Sequence, residues 1–204
     1  MRILVTSPNY DVTTTYLSAW FKCLIGKFDN RHEVFILDGD RANKKRVCGM
    51  LESRNIELVL LNGHGADDKI AGQDNEVLIS LDNVNVLDGK TVHALSCATA
   101  KELGPAAIEA GAKSYIGYDE NFIFFNQGKL SNPTEDKYAR LFFEPAIAVP
   151  KALVDGKTAD EAVEAGIKFY KRNLAKALTS TDVQENYQDV AWALWFDMKH
   201  LKKC

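Results

Sequence analysis

A histidine and a cysteine each follow an apolar run in the middle of the chain. His64 comes after LVLLN in the segment LVLLNGHG, flanked by Gly63 and Gly65, and Cys97 ends a second run in TVHALSCATA. A thiolate is a good nucleophile and an imidazole can carry protons, so the two side chains could perform nucleophilic catalysis if they met. Both runs predict strands, and neighbouring strands lie about 5 Å apart. We therefore expect His64 and Cys97 to face each other at matched strand ends.

The residues around this pair suit the same chemistry. An imidazolium beside Cys97, together with the N-terminus of a helix predicted to start near Ala98, would lower the pKa of the thiol. Gly65 has no Cβ, so a substrate backbone could approach its N–H, which could stabilise a developing oxyanion. Two simpler interpretations stay open. A cysteine after a buried strand is often a small hydrophobic residue, and a histidine in a glycine turn can serve only to cap that turn.

The elements that must position these residues predict an α/β protein with an open, mostly parallel sheet. Short apolar runs alternate with amphipathic helices, as is typical of parallel strands covered on both faces. Thr158 and Glu161 form a capping-box pattern at the start of one helix. The predicted strands are residues 3–7, 33–37, 56–61, 91–95 and 114–117, and the predicted helices are 13–28, 44–53, 101–112, 137–148, 158–178 and 183–201.

Two stretches depart from this alternation. Residues 76–81 alternate like an edge strand or hairpin arm, which leaves only residues 82–87 for a short crossover helix. Residues 119–136 form a long predicted loop, and loops of this length are usually functional or mobile. We expect this loop to be a mobile lid beside the active site. The alternative is a packed loop whose three phenylalanines cover the helices.

The composition excludes several classes of protein. Lys and Arg total 25 against 28 Asp and Glu, so the net charge of −3 lacks the basic excess of a nucleic-acid binder. The four cysteines form neither a CxxC pair nor a zinc-spaced cluster, which predicts a reduced protein with no metal or cofactor. The first apolar run is too short for a signal peptide, and no run approaches the ~20 residues that cross a bilayer. We expect a single cytoplasmic domain over residues 1–204, with no membrane or nucleic-acid partner.

The two motifs resemble those of the caspase-like cysteine peptidases of clan CD, which include caspases, gingipains, clostripain, separase and the bacterial CHAT domains. In that group an apolar strand ends in His-Gly and the next core strand ends in the nucleophilic cysteine, as LVLLNGHG and HALSCATA do here. The similarity is closest to CHAT-type domains, which share the helical pattern FFEPAIAVPKALVDGKTADEAVEAGIKFY. Papain-like enzymes place Cys before His, and glutamine amidotransferases place Cys in a glycine-flanked elbow before their His, so neither pattern fits.

This resemblance implies a caspase-like three-layer sandwich and an endopeptidase that hydrolyses peptide bonds with a His-Cys dyad. It implies that Cys97 attacks the peptide carbonyl, that His64 gives a proton to the leaving amine, and that the N–H groups of Gly65 and Cys97 hold the oxyanion. It also implies that the next strand ends beside the S1 pocket, where YIGYDENF carries Asp119 and Glu120. A carboxylate there would favour Arg or Lys at P1. The alternative is that Asp119 only caps the turn after the strand.

Larger relatives carry recognition or scaffold domains that this sequence lacks. We therefore expect a protein or peptide substrate that is selected by the core itself or brought by a separate recognition or activating protein. The main alternative is a catalytically silent caspase-like domain that serves as an interaction or scaffold module. A nucleotide-binding protein is a third hypothesis, but the first predicted strand ends in SPNYD and is followed by neither GxGxxG nor GxxxxGK[ST].

Overall fold

A six-stranded sheet forms the centre of the fold in this computed structural model, which describes residues 1–179 and 187–204. Apolar, mostly buried runs form its four inner strands, as the sequence predicts. The strands are β1 (Arg2–Ser7), β2 (Glu33–Asp38), β3 (Leu58–Asn62), β4 (Gly65–Ala66), β5 (Lys69–Ala71), β6 (Val77–Ser80), β7 (Thr91–Leu95), β8 (Ser114–Tyr118) and β9 (Leu201–Lys203). The α-helices are α1 (Val12–Ile25), α2 (Lys44–Ser53), α3 (Leu103–Glu109), α4 (Lys137–Val154), α5 (Ala159–Thr179) and α6 (Tyr187–His200).

The strand order of the large sheet is β2-β1-β3-β7-β8-β9, and only β9 runs antiparallel to its neighbour. The predicted α/β class with a mostly parallel sheet is therefore confirmed. The order also makes β3 and β7 neighbours, so the strands that precede the predicted histidine and cysteine lie side by side.

Helices cover both faces of this sheet and give three layers. Successive side chains of a strand point to opposite faces, so Leu58 and Leu60 of β3 join one apolar core while Val59 and Leu61 join the other. Helices α1, α4, α5 and α6 contribute to the first core, and α2 and α3 contribute to the second. Thr158 and Glu161 exchange the predicted capping hydrogen bonds before α5.

A small antiparallel sheet, β4-β5-β6, is inserted between β3 and β7. Its last strand, β6, coincides with the hairpin arm predicted at residues 76–81. A 3-10 helix, Leu81–Leu87, then leads to β7, where a short crossover helix is predicted. The inserted sheet begins directly after the His64 turn, so it forms one wall beside that histidine.

Three local predictions differ from the structure. Residues 98–102 form turns, and α3 begins only at Leu103. Helix α4 continues past the predicted end at residue 148 through Pro150, because the apolar side chains of this stretch are buried and outweigh the loss of one backbone donor. Strand β9 replaces the end of the predicted last helix, because residues 201–203 pair with β8. Residues 183–186 of that predicted helix lie outside the described residues.

Candidate active site

His64 and Cys97 lie at the carboxyl ends of adjacent strands, as predicted. The last register pair of β3 and β7 joins Asn62 to Leu95, and His64 and Cys97 each lie two residues beyond it. Asn62 is buried, and its side-chain amide donates to the carbonyl oxygen of Thr6 in β1 at 2.7 Å. The end of β3 is therefore held to both neighbouring strands just before it delivers the histidine.

The two glycines around His64 are required by close backbone approach. Gly63 has φ of +149°, and a Cβ there would overlap the carbonyl oxygen of Ala71. A Cβ on Gly65 would lie 2.5 Å from the carbonyl oxygen of Cys97. The turn that carries His64 thus packs directly against the backbone of Cys97, which is a closer juxtaposition than the spacing of two strands alone provides.

In the hairpin formed by β4 and β5, the N–H of Gly65 does not donate to β5. Ala71 donates to the carbonyl oxygen of His64 at 2.8 Å, and Gly65 lies opposite Ile70. In an antiparallel pair this pattern makes Gly65 and Ile70 a non-hydrogen-bonded pair, whose N–H groups point away from each other. The role of the Gly65 and Cys97 N–H groups as an oxyanion hole stays a prediction.

Asp11 is the site residue that sequence reasoning missed. It is the N-cap of α1, where one carboxylate oxygen accepts from the N–H of Thr14 at 2.7 Å. The other oxygen lies 2.6 Å from Nε2 of His64. The segment SPNYDVTT carries the signal, since Asp followed three residues later by Thr is a helix-capping pattern at the end of β1. The spacing of 53 residues gives no hint that this cap also binds His64.

The hydrogen bond to Asp11 fixes the imidazole in one orientation. Partial burial raises the pKa of Asp11, but the hydrogen bonds from Thr14 and His64 outweigh this and hold the pKa below its ordinary value. A charged Asp11 favours the imidazole form that donates Nε2–H to it. The other ring nitrogen, Nδ1, is then the proton acceptor of the histidine. Tyr10 lies edge-on to the same ring at 6.1 Å between centroids.

Cys97 lies under the segment that follows β8. Its Sγ is 4.0 Å from the carbonyl oxygen of Phe122, its hydrogen-bond acceptor. The backbone that follows Cys97 is paired as well, since the N–H of Ala98 donates to the carbonyl oxygen of Glu120 at 2.9 Å. The thiol is therefore part-buried and capped by a backbone carbonyl.

The expected low pKa of Cys97 is wrong for this conformation. Burial raises the pKa of the thiol, and the carboxyl of Asp197 raises it further. The expected contribution of a helix N-terminus is missing, because Ala98 has φ of +59° in a turn and α3 starts five residues later. In this arrangement the thiol form is favoured over the thiolate.

Asp197 of α6 is a buried carboxyl close to the candidate nucleophile. One of its oxygens accepts from the N–H of Ile123 at 3.0 Å. Helix α6 therefore fixes the position of residues 122–123, which cover Cys97. The other oxygen is buried and has no hydrogen-bond partner among residues 1–179 and 187–204. Burial raises the pKa of Asp197 well above its ordinary value.

Asp119 and Glu120 follow β8, as predicted, but the Asp119 carboxylate already has two neighbours, His200 and Lys202. Its oxygens lie 2.7 Å from Nδ1 of His200 and 3.7 Å from Nζ of Lys202. Glu120 has an exposed side chain, and its backbone carbonyl accepts from Ala98. The role of both carboxylates in an S1 pocket stays a prediction, and Asp119 would have to exchange its present partners to bind a substrate side chain.

The predicted lid, residues 119–136, is anchored at several points. Buried Asp136 accepts from the hydroxyl of Tyr16 at 2.6 Å and from the N–H of Gln127 at 2.5 Å. The three phenylalanines of the segment pack on the helices, with the Phe124 and Phe143 rings 5.0 Å apart. These contacts match the alternative of a packed loop, and mobility of the segment stays a prediction.

Comparisons with known proteins do not extend this description: no protein family matches the chain, and no curated protein has a significantly similar sequence. Among the described residues, no helix is long and apolar enough to cross a membrane. Within that same part of the chain, no group of three or more His, Cys, Asp and Glu side chains could hold a metal ion.

Proposed function

We propose that the chain is a cysteine endopeptidase in which Cys97 and His64 form the catalytic dyad and Asp11 orients the histidine. The observation that carries the proposal is the matched position of the two residues, each two positions beyond the register pair that joins Asn62 to Leu95. A nucleophile and a base at one sheet edge, with the base fixed by a carboxylate, suit acyl transfer.

The proposed reaction uses each group in turn. His64 takes the thiol proton of Cys97 at Nδ1, and the sulfur forms a bond to the carbonyl carbon of the substrate. The oxyanion that develops accepts from the N–H groups of Gly65 and Cys97. His64 then gives its proton to the amine as the carbon–nitrogen bond breaks, and water hydrolyses the remaining thioester. Asp11 stabilises the imidazolium present between these two proton transfers.

The proposal includes a protein or peptide substrate and a reducing compartment such as the cytoplasm, where a thiol nucleophile stays reduced. It also includes a preference for Arg or Lys at P1 through Asp119. The test of that preference compares the wild type with Asp119→Ala on matched Arg, Lys, Asp and Met substrates. If Asp119→Ala cleaved the Arg substrate at the wild-type rate, Asp119 would not be part of the S1 pocket.

The decisive experiment for the dyad is a peptide-library cleavage profile of the wild type beside Cys97→Ala, His64→Ala and the double variant. Because the two residues act as a unit, each single variant should abolish turnover, and the double variant should be hardly worse. Cys23→Ala, which removes another free cysteine, is the matched control and should cleave like the wild type. Cleavage by a Cys97→Ala protein that melts normally would overturn the assignment.

A catalytically silent interaction or scaffold domain is the second candidate. The raised pKa and the carbonyl cap of Cys97 favour it, because a protonated, covered thiol is a poor nucleophile. Iodoacetamide labelling separates the two candidates. An active enzyme should react selectively at Cys97 once a substrate or activating protein is added, whereas a silent domain should leave Cys97 unreactive under every condition.

A further inference from the structure

A small cavity lies against His64, the candidate acid and base. It has a volume of about 190 Å³, and seven residues line it: His64, Gly65, Ala66, Lys69, Ala71, Asn75 and Val77. The strands β4, β5 and β6 supply most of these residues. Ligand pockets for whole small molecules usually measure about 300 to 1,000 Å³, so this cavity has room for one side chain.

Lys69 gives the cavity its charge. Among the described residues that line it, Lys69 is the only Lys, Arg, Asp or Glu. Its closest carboxylate, that of Asp68, lies 3.9 Å from Nζ, and both side chains are about half exposed at 47%. Such an exposed, long contact is weak, so the ammonium remains available. Ala66 and Val77 provide an apolar wall for the stem of a bound side chain.

We infer that this cavity is the subsite for the residue that follows the cleaved bond, P1′, and that Lys69 selects a glutamate there. This inference rests on the proposed function. His64 must lie against the leaving amine to protonate it, and the residue that carries that amine is P1′. Its side chain is therefore the one nearest to the cavity that the imidazole lines. A glutamate would place its stem against Val77 and its carboxylate beside Lys69.

The test uses peptides that differ only at P1′, with Glu, Gln or Lys, assayed on the wild type, Lys69→Met and Lys69→Glu. An ion pair of this exposure should favour Glu over Gln by about 3- to 5-fold in kcat/KM. Lys69→Met should remove the preference, and Lys69→Glu should transfer it to the Lys peptide. Lys113→Glu is the matched control, because this exposed lysine precedes β8 at the opposite end of the sheet and its reversal should leave the preference intact.

A second measurement avoids the chemical step. Cys97→Ala should bind the Glu peptide more tightly than the Gln peptide by a similar factor, and Lys69→Glu in that background should invert the order. Cleavage by the wild type without a preference for Glu, or a preference that survives in Lys69→Glu, would overturn the subsite and leave the peptidase standing. No cleavage of any peptide by the wild type, together with no binding of any peptide to Cys97→Ala, would overturn the proposed function and the subsite with it.

Discussion

His93 makes the stability of this fold depend on pH, and its replacement should remove that dependence. The side chain lies in β7, fully buried, with its ring stacked on Phe21 at 6.3 Å between centroids. Neither ring nitrogen has a hydrogen-bond partner among residues 1–179 and 187–204. Because burial disfavours the charged imidazolium, the pKa of His93 falls from its ordinary 6.5 to about 3.

The size of the effect follows from these two values. Below pH 6.5 the unfolded chain binds a proton at His93, while the folded chain stays neutral there until about pH 3. Stability therefore falls as the pH drops through this window. At pH 5, about 1.5 pH units below the unfolded value, the loss is about 2 kcal/mol at 1.36 kcal/mol per unit. It would approach ~5 kcal/mol near pH 3.

Two substitutions of His93 separate the effect of its protonation on stability from the effect of burying a polar side chain. His93→Gln keeps a polar side chain that does not titrate, so its unfolding free energy should lack the 2 kcal/mol loss between pH 7 and pH 5. His93→Leu should lack the same loss and should also gain about 1 kcal/mol at pH 7, because a buried polar group without a partner is replaced by an apolar one.

Urea unfolding at pH 7 and pH 5, followed by tryptophan fluorescence, measures these differences. The remaining titratable groups are the same in all three proteins, so their contributions cancel when each variant is compared with the wild type. A constant difference between wild type and His93→Gln at the two pH values would refute the reasoning, since it would mean that His93 takes up its proton equally in both states.

Three further predictions concern the groups around the candidate nucleophile. Asp11→Asn should lower kcat/KM by about 10-fold or more, because His64 loses its charged partner; equal hydrolysis rates would exclude an orienting role. Asp197→Asn keeps an oxygen that can accept from the N–H of Ile123 but removes the carboxyl group that raises the pKa of Cys97, so the pH midpoint of Cys97 alkylation should fall. An unchanged midpoint would contradict an effect of Asp197 on the thiol. Asp136→Asn should destabilise the fold by about 2 kcal/mol and speed proteolytic nicking within residues 119–136, whereas equal nicking rates would argue that other contacts hold the segment.

The sequence predicted the sheet well because its signal is local. Buried parallel strands need continuous apolar runs, and these stand out at LVLLN and TVHAL without knowledge of the partners. The structure departs from the sequence-based predictions where contacts between residues far apart in the chain determine the local conformation. Strand β9 has the sequence LKK, which carries no strand pattern and forms because β8 offers it an edge. Helix α4 passes through Pro150 because the apolar side chains around that residue are buried.

Some features of the candidate site could likewise be predicted from local sequence, and others could not. The positions of His64 and Cys97 follow from strand ends and could be predicted from the two motifs. Asp11 could not, because its contact with His64 joins residues 53 apart through a helix cap. The raised pKa of Cys97 could not be predicted either, because it reflects burial of the thiol in the folded chain and the nearby carboxyl of Asp197, which belongs to the last helix.

The two residues of the proposed dyad differ in how far the structure prepares them for catalysis, and this difference indicates where an activating protein of the proposed enzyme would act. His64 is already oriented by Asp11, and that carboxylate is fixed in turn by its capping bond to Thr14. Cys97 is protonated, part-buried and capped by the carbonyl of Phe122. An activating protein therefore gains nothing by reshaping the histidine turn. In the proposed enzyme, we expect it to act on the segment after β8, where displacement of the Phe122 carbonyl from Cys97 would expose the thiol. Alkylation of Cys97 should then accelerate on activation, while the contact between Asp11 and His64 stays unchanged.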